Sequence, residues 1–385
     1  MKHIPFFAGL LFLIVNSSCI KKNERAGVPA DENEIVFGEY GSMTGSESTF
    51  GTSTHKGIMM AVEEANKKGG VKGKQIRVIS YDTQGKSDEA VTVVTRLITQ
   101  DKVHLVLGEV ASSRSIAAAP VAQQYKVPMI SPSSTNPKVT QIGDYIFRVC
   151  FIDPFQGSVM AKFAINNLNL KKAAIFRDIK SDYSVGLANF FTEDFKKMGG
   201  QVVLDVAYSG GDVDFKSQLT KIKEGKPDII FVPGYYTEVG IIAVQARELG
   251  LKATLLGGDG WDSDKLSEIG QSAILGAYFS NHYSAEDKSP IVQNFVTQYK
   301  AKYGEVPNSL AAQGYDAALI AMDAINRSAD LNPKNLRDAI ASTKNFQGVT
   351  GIISINEDRN AVKPAVVLKV EAGSKHTYVT TINPG

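Results

Sequence analysis

Val103-His104-Leu105-Val106-Leu107-Gly108-Glu109-Val110-Ala111-Ser112-Ser113 is the stretch on which the fold class turns. Residues 103–107 read as a short strand covered on both faces, as in a parallel sheet packed between helices. Gly108 and a set of small residues then lead into a helix over 116–125, so strand passes to helix through a loop at the strand's carboxyl end. Upstream, a strand over 35–40 precedes a helix over 55–68, whose Ile58, Met59, Val62 and Ala65 keep helical spacing and whose end is marked by Gly69-Gly70. A strand over 75–81 and a helix over 87–100, with Ser87 at its N-cap, complete that side. Downstream comes a strand over 128–131. The rhythm restarts after Asp153-Pro154 with helices over 157–168, 187–198, 215–223 and 239–249 between strands over 173–176, 201–207, 229–232 and 253–256. Helices over 291–303, 310–326 and 336–343 follow, then strands over 351–355 and 365–370.

Such alternation is the pattern of α/β structure with crossover helices. Lys67-Lys68-Gly69-Gly70 is echoed by Lys196-Lys197-Met198-Gly199-Gly200, each followed at once by a strand, which predicts two similar lobes. A doubly wound sheet carries its crevice at the carboxyl ends of its strands. Two such sheets face to face make a cleft.

Composition removes several function classes. The chain has 385 residues, 43% hydrophobic and 21% charged, which suits an ordinary globular protein of two or three domains. Its formal net charge is +2 with no Lys/Arg stripe interleaved with aromatics, so nucleic-acid binding has no electrostatic basis. Two cysteines cannot build a disulfide framework, and the five histidines show neither HExxH nor zinc-ligand spacing, so no metal and no cofactor are expected. No GxSxG elbow occurs. Gly85-Lys86-Ser87 lacks the upstream glycine of a phosphate loop, because Ser80 stands there, and Gly258-Asp259-Gly260 lacks the third glycine of a dinucleotide fingerprint. Glu63-Glu64 fall beside Lys67 and Lys68 on one helix, the pattern of a solvated face.

At the N-terminus, Lys2 and His3 precede an apolar run over 4–15, long enough for a signal peptide and too short to span roughly 30 Å of bilayer. Asn16-Ser17-Ser18-Cys19 resembles a bacterial lipobox with Asn16 where leucine is usual, so residues 1–18 are read as a signal peptide and Cys19 as a lipidation site; a plain secretory signal is the alternative. Residues 19–34 are polar and aperiodic, a tether. Cys150, left without a partner, sits in the apolar stretch Phe147-Arg148-Val149-Cys150-Phe151 and reads as a buried, inert thiol.

The loops after the strands carry the site candidates. Val110-Ala111-Ser112-Ser113 places hydroxyls and backbone N–H groups at a helix start, which suits an anion, although plain capping explains it equally. Ser131-Pro132-Ser133-Ser134-Thr135-Asn136-Pro137 is a second hydroxyl cluster at a strand end. Gly257-Gly258-Asp259-Gly260-Trp261-Asp262 sets an acid between glycines, where backbone can approach a ligand and a carboxylate can meet an ammonium. Tyr183, Tyr235, Tyr236 and Tyr315 could wall a pocket. An anion cradle and a carboxylate on opposite lobes would read a zwitterion.

Gly41-Ser42-Met43-Thr44-Gly45, Gly69-Gly70-Val71-Lys72-Gly73, Ala111-Ser112-Ser113, Ile130-Ser131-Pro132 with Thr135-Asn136-Pro137, Gly257 to Asp262, and Gln313-Gly314-Tyr315-Asp316 occur in an order that resembles the branched-chain amino acid binding proteins of bacterial ABC transporters. The resemblance runs from about Ile35 to Val370. It implies a type I periplasmic binding protein fold, two doubly wound α/β lobes joined by a three-crossover hinge, with residues 35–153 and 281–349 in lobe 1 and 154–280 and 350–385 in lobe 2. It implies that Ser112 and Thr135, with backbone N–H groups near Ser133 and Ser134, hold the α-carboxylate and that Asp259, next to Gly260, holds the α-ammonium. Tyr183, Tyr235 and Tyr315 fall at further ligand-contacting positions, Phe50 at an aromatic cover, and Val110 and Ala111 beside an aliphatic side chain. Asp259 is one methylene shorter than the usual Glu. The expected protein is a monomeric, lipid-anchored solute-binding protein on the periplasmic side of a membrane, not an enzyme, working with permease subunits. Its rivals are a sensor presenting a small amide or carboxylate to a signalling partner and an α/β hydrolase, the latter requiring a base beside Ser112, Ser133 or Thr135.

Overall fold

The computed structural model describes Met1 and residues 34–384. The expected signal segment and Cys19 lie outside the described residues. Strands β1 (Glu34–Gly41), β2 (Gln75–Asp82), β3 (Leu105–Leu107), β4 (Met129–Ser131) and β5 (Ile146–Arg148) form one all-parallel sheet in the order β2-β1-β3-β4-β5. The period of two along β1 builds its two cores: Ile35 and Phe37 pack on one face with Leu105, Leu107, Ile130 and Phe147, while Val36 and Tyr40 pack on the other with Val106, Met129 and Ile146. Helices Ser87–Thr99 and Ser112–Tyr125 cover the second face. The first is covered by Ser48–Lys67 and by Ser309–Arg327 from far down the chain. Those two helices meet backbone to backbone: a Cβ on Gly57 would lie 1.9 Å from the Ala311 carbonyl oxygen and one on Gly314 2.5 Å from that of Thr54. Only glycine fits at either crossing point.

The second lobe is built on β6 (Lys172–Asp178), β7 (Gln201–Tyr208), β8 (Ile229–Phe231), β9 (Thr254–Gly257) and β10 (Tyr278–Asn281). Lobe 1 adds a small antiparallel ribbon of β11 (Phe346–Gly348), β12 (Gly351–Ile355) and β13 (Ala361–Val362). With β14 (Ala365–Glu371) and β15 (Lys375–Ile382), the lobe 2 sheet reads β15-β14-β10-β9-β8-β6-β7, parallel from β7 to β10 and antiparallel at β14 and β15. Its two cores centre on Phe176, Phe215, Ile230 and Trp261, and on Phe163, Ile175, Phe191 and Phe231.

Among the described residues the chain crosses between lobes three times, at 149–153, 282–289 and 363–364. The last crossing corrects the expected boundary at 349/350. Ile353 and Ile355 of β12, with Ala361 of β13, pack with Phe37, Val62 and Ile340 in lobe 1, because the alternate apolar residues of β12 face that core. Residues 350–362 therefore belong to lobe 1. Several helices also begin before the apolar periodicity does: Ser48–Lys67 starts seven residues ahead of position 55, Ser112–Tyr125 four ahead of 116, and Asp182–Lys197 five ahead of 187. Ser87 opens its helix and Lys86 takes the cap position. Strands β5, β10 and β15 carry too little alternation to stand out in sequence. Cys150 is fully buried, its thiol pushed up to about 12 by burial, as an inert core cysteine would be.

Candidate functional site

Both hydroxyl loops sit at the carboxyl edge of the lobe 1 sheet, and their own backbone needs absorb much of their polarity. The buried Glu109 carboxylate accepts from the Ala111 N–H at 2.7 Å, from Ser42 Oγ at 2.8 Å and from Thr83 Oγ1 at 3.0 Å, and forms an ion pair with Arg114 at 3.0 Å. Ser134 Oγ donates to the Glu109 and Val110 carbonyls at 2.9 Å, and the Ser134 N–H donates to Ser131 Oγ at 2.9 Å. Ala111 and Ser134 thus shape the loops, and their N–H groups are already used. Ser112 Oγ accepts from the Asn136 N–H at 3.1 Å, which ties the two loops together and leaves its own O–H to donate.

Across the cleft, the loop after β9 turns on glycines for a steric reason. A Cβ on Gly258 would lie 2.4 Å from Tyr183 Oη, and one on Gly260 would lie 2.8 Å from Tyr235 Cδ1 and 2.9 Å from the Gly234 carbonyl oxygen. Trp261 anchors the loop by donating its indole N–H to the Val232 carbonyl at 3.0 Å. Asp259, buried, presents its carboxylate to three donors: Tyr183 Oη at 3.0 Å on Oδ1, and His282 Nε2 at 2.9 Å with Ser133 Oγ at 3.5 Å on Oδ2. Its backbone N–H is held by Gln156 Oε1 at 2.9 Å. Burial, with the Asp259 charge, keeps the Tyr183 hydroxyl protonated by raising its pKa, and burial pushes His282 below its ordinary value despite Asp259, so the ring is neutral and Nε2–H donates. Asp153 is pushed up to about 8 by burial, with Asp259 adding to the rise.

Phe50, Val110, Ser112, Ser133, Tyr183, Tyr235, Asp259, Gly260 and Leu310 line a small pocket between the lobes. The apolar side is a stack: Phe50 meets Tyr235 edge-on at 5.1 Å, and Tyr235 lies parallel to Tyr183 at 5.4 Å. The lobes touch across the mouth. Thr49 Oγ1 bonds Ser263 Oγ at 3.0 Å, Thr237 Oγ1 donates to the Ser46 carbonyl at 2.7 Å, Ser113 Oγ to Asp182 at 3.0 Å, and Asn136 Nδ2 to the Asp182 carbonyl at 2.7 Å. The cleft is shut over the cavity.

Eight of the twelve expected ligand-binding residues line this space. Ala111 and Ser134 stand behind it. Thr135 also lies outside it: its Oγ1 and Asp153 Oδ2 lack partners of hydrogen-bond geometry, although the hydroxyl is close enough to favour the ionised acid. Tyr315 is elsewhere altogether, donating to Glu64 at 2.7 Å and packing on Phe295, because its helix turns that face toward Ser48–Lys67. Leu310 and His282 were missed. Leu310 is an ordinary apolar residue at a helix start, and His282 lies 23 positions from Asp259, a distance over which sequence carries no signal. No nucleophile–base pair arises from these groups, since Asp259 stands between Ser133 and His282 and accepts from both.

The family profile described as periplasmic binding protein matches residues 34–375. The chain belongs to the periplasmic binding protein family. It is similar to the crystal structure of a leucine binding protein, LivK, from Thermotoga maritima MSB8, with 42% identity and a TM-score of 0.88 over 91% of this chain and 99% of that one. It is also similar to the branched-chain amino acid transporter substrate binding protein LivJ from Streptococcus pneumoniae in complex with isoleucine, at 36% identity and a TM-score of 0.86, covering 91% of this chain and all of that one. Among curated relatives, a Leu/Ile/Val-binding protein, BraC3, from Rhizobium johnstonii is 33% identical over 266 residues, 69% of this chain and 72% of that protein. The two-lobed α/β fold is that of these binding proteins, whose family comprises solute-binding proteins rather than enzymes.

Proposed function

We propose that the chain is the extracytoplasmic solute-binding component of an ABC importer and that it carries an aliphatic, branched-chain L-amino acid between its lobes. The observation that carries this reading is Asp259, a buried carboxylate facing an inter-lobe pocket whose walls include the hydroxyl of Ser112 and the apolar surfaces of Phe50, Val110 and Leu310. A buried ammonium needs a carboxylate in place of its lost water, and an α-carboxylate needs donors, so the two lobes divide a zwitterion between them. Leucine and isoleucine binding by the relatives agrees with it.

In this reading lipid on Cys19 holds the mature monomer at the periplasmic face, where it meets the permease; mass spectrometry of the mature N-terminus reads the acylation. A thermal-shift screen of the twenty amino acids with small amides and benzoates tests the ligand class. Leucine, isoleucine and valine are expected to stabilise most, since ligand at 100 times its Kd adds about 2.7 kcal/mol. Stabilisation by amides or benzoates alone would overturn the assignment.

A further inference from the structure

Asp259 is gripped from the hinge as well as from its own lobe. His282 opens the second crossing between lobes, and its ring, fully buried, stacks on Phe151 of the first crossing with centroids 3.8 Å apart and planes 22° from parallel. From there Nε2 reaches Asp259 Oδ2 at 2.9 Å. The backbone beside it is fixed too: the His282 N–H donates to Asn281 Oδ1 at 2.8 Å, and Asn281 Nδ2 donates to Asp262 Oδ2 at 2.8 Å, the oxygen that also accepts from the Ser309 N–H of lobe 1 at 2.7 Å. A carboxylate offers about four acceptor sites. Tyr183, Ser133 and His282 take three, which leaves one for a ligand ammonium.

We propose that His282 is the positioning residue that aims Asp259 at the ligand's ammonium from the hinge, and that its protonation competes with that ammonium, so that affinity falls on acidification. The inference rests on the amino acid reading above. An imidazolium in the empty cleft would balance the Asp259 charge by itself; with the ammonium bound, two cations would share one carboxylate in a site closed to water. The groups facing His282 set the balance. Asp259 bonds it directly and Asp262, in the same lobe, favours its charged form; Lys363, on the third crossing, opposes it; and Phe151 offers the ring no charge. Burial outweighs these, leaving a neutral ring near pH 7. The empty protein then binds a proton at His282 more readily than the liganded one, so ligand binding releases protons and affinity is lost as pH falls through the empty protein's His282 pKa, below the ordinary value of about 6.5. One excluded proton gives a limiting slope of about tenfold per pH unit.

The test is calorimetric titration of the full mature chain with L-isoleucine from pH 5 to pH 8. The wild-type Kd is expected to rise as pH falls from 7 to 5, by at most about tenfold per pH unit, with binding releasing protons on the acid side of the ordinary histidine value, read by comparing buffers of different ionisation enthalpy. His282→Gln, whose amide can donate to Asp259 without titrating, is expected to bind more weakly at every pH with a flat profile from pH 5.5 to 7. A flat wild-type profile, zero proton release, or an unchanged slope in His282→Gln would overturn the proposal; the first two need no variant. Failure of the wild type to bind any aliphatic amino acid at pH 7 would instead remove the amino acid reading itself.

Discussion

Lobe 1 and lobe 2 meet the cavity by different physical means. Lobe 1 brings neutral hydroxyls on two loops whose framework is saturated internally: Glu109 takes the Ala111 N–H, Ser134 closes onto two carbonyls, and Ser112 joins one loop to the other. Lobe 2 brings a single charge, Asp259, with tyrosine on one oxygen and histidine on the other. A saturated loop tolerates the loss of one hydroxyl because its neighbours keep its shape. A lone buried charge has no substitute, so the binding energy should be lodged unevenly between the lobes.

That asymmetry can be broken by substitution. Asp259→Ala should give the largest loss, roughly 3 to 5 kcal/mol or two to three and a half decades of affinity, because it leaves the ligand ammonium buried without a counter-charge. Titration with L-isoleucine, with the fold checked by circular dichroism, measures it, and a Kd within about threefold of wild type would defeat the zwitterion reading. Ser112→Ala should cost less, about 1.5 to 3 kcal/mol for a hydrogen bond to a charged group, part of it from the Asn136 N–H left without its acceptor. If this variant were the weaker binder of the two, lobe 1 rather than lobe 2 would hold the dominant contact. Tyr315→Phe should barely change affinity, with Kd within about twofold, while lowering stability by about 0.5 to 1.5 kcal/mol through the lost Glu64 bond. A tenfold weaker Kd with unchanged melting temperature would return Tyr315 to the binding site.

Much of the frame was legible because it is local. The apolar run at Val103 to Leu107 reads as a doubly covered strand, and Leu105–Leu107 form a fully buried one; Ile229 to Val232 reads as a strand, and Ile229–Phe231 form it. The glycine-flanked Asp259 also stood out, since close approach of Tyr183 and Tyr235 leaves room for nothing larger than glycine on either side. The early helix turns were illegible because they are mostly polar: Thr54, Ser112 and Arg114 are buried there without forming an apolar stripe, and Phe50 faces the cleft. Tyr315 was misplaced for a related reason, as helical spacing says which residues share a face and not which neighbour that face will meet.

What the sequence determined by itself is therefore the alternation of strand and helix, the glycine stops and the chemical character of the loops at the strand ends, all consequences of periodicity and side-chain volume within a few turns of chain. What only the tertiary structure decided is which of those groups remain free to bind. Ala111 and Ser134 spend their N–H groups on the fold, β12 returns to lobe 1, and His282 arrives at Asp259 from a crossing 23 residues away. Hydrogen-bond capacity and charge are spent between elements distant in sequence, and that account closes only when the lobes are packed.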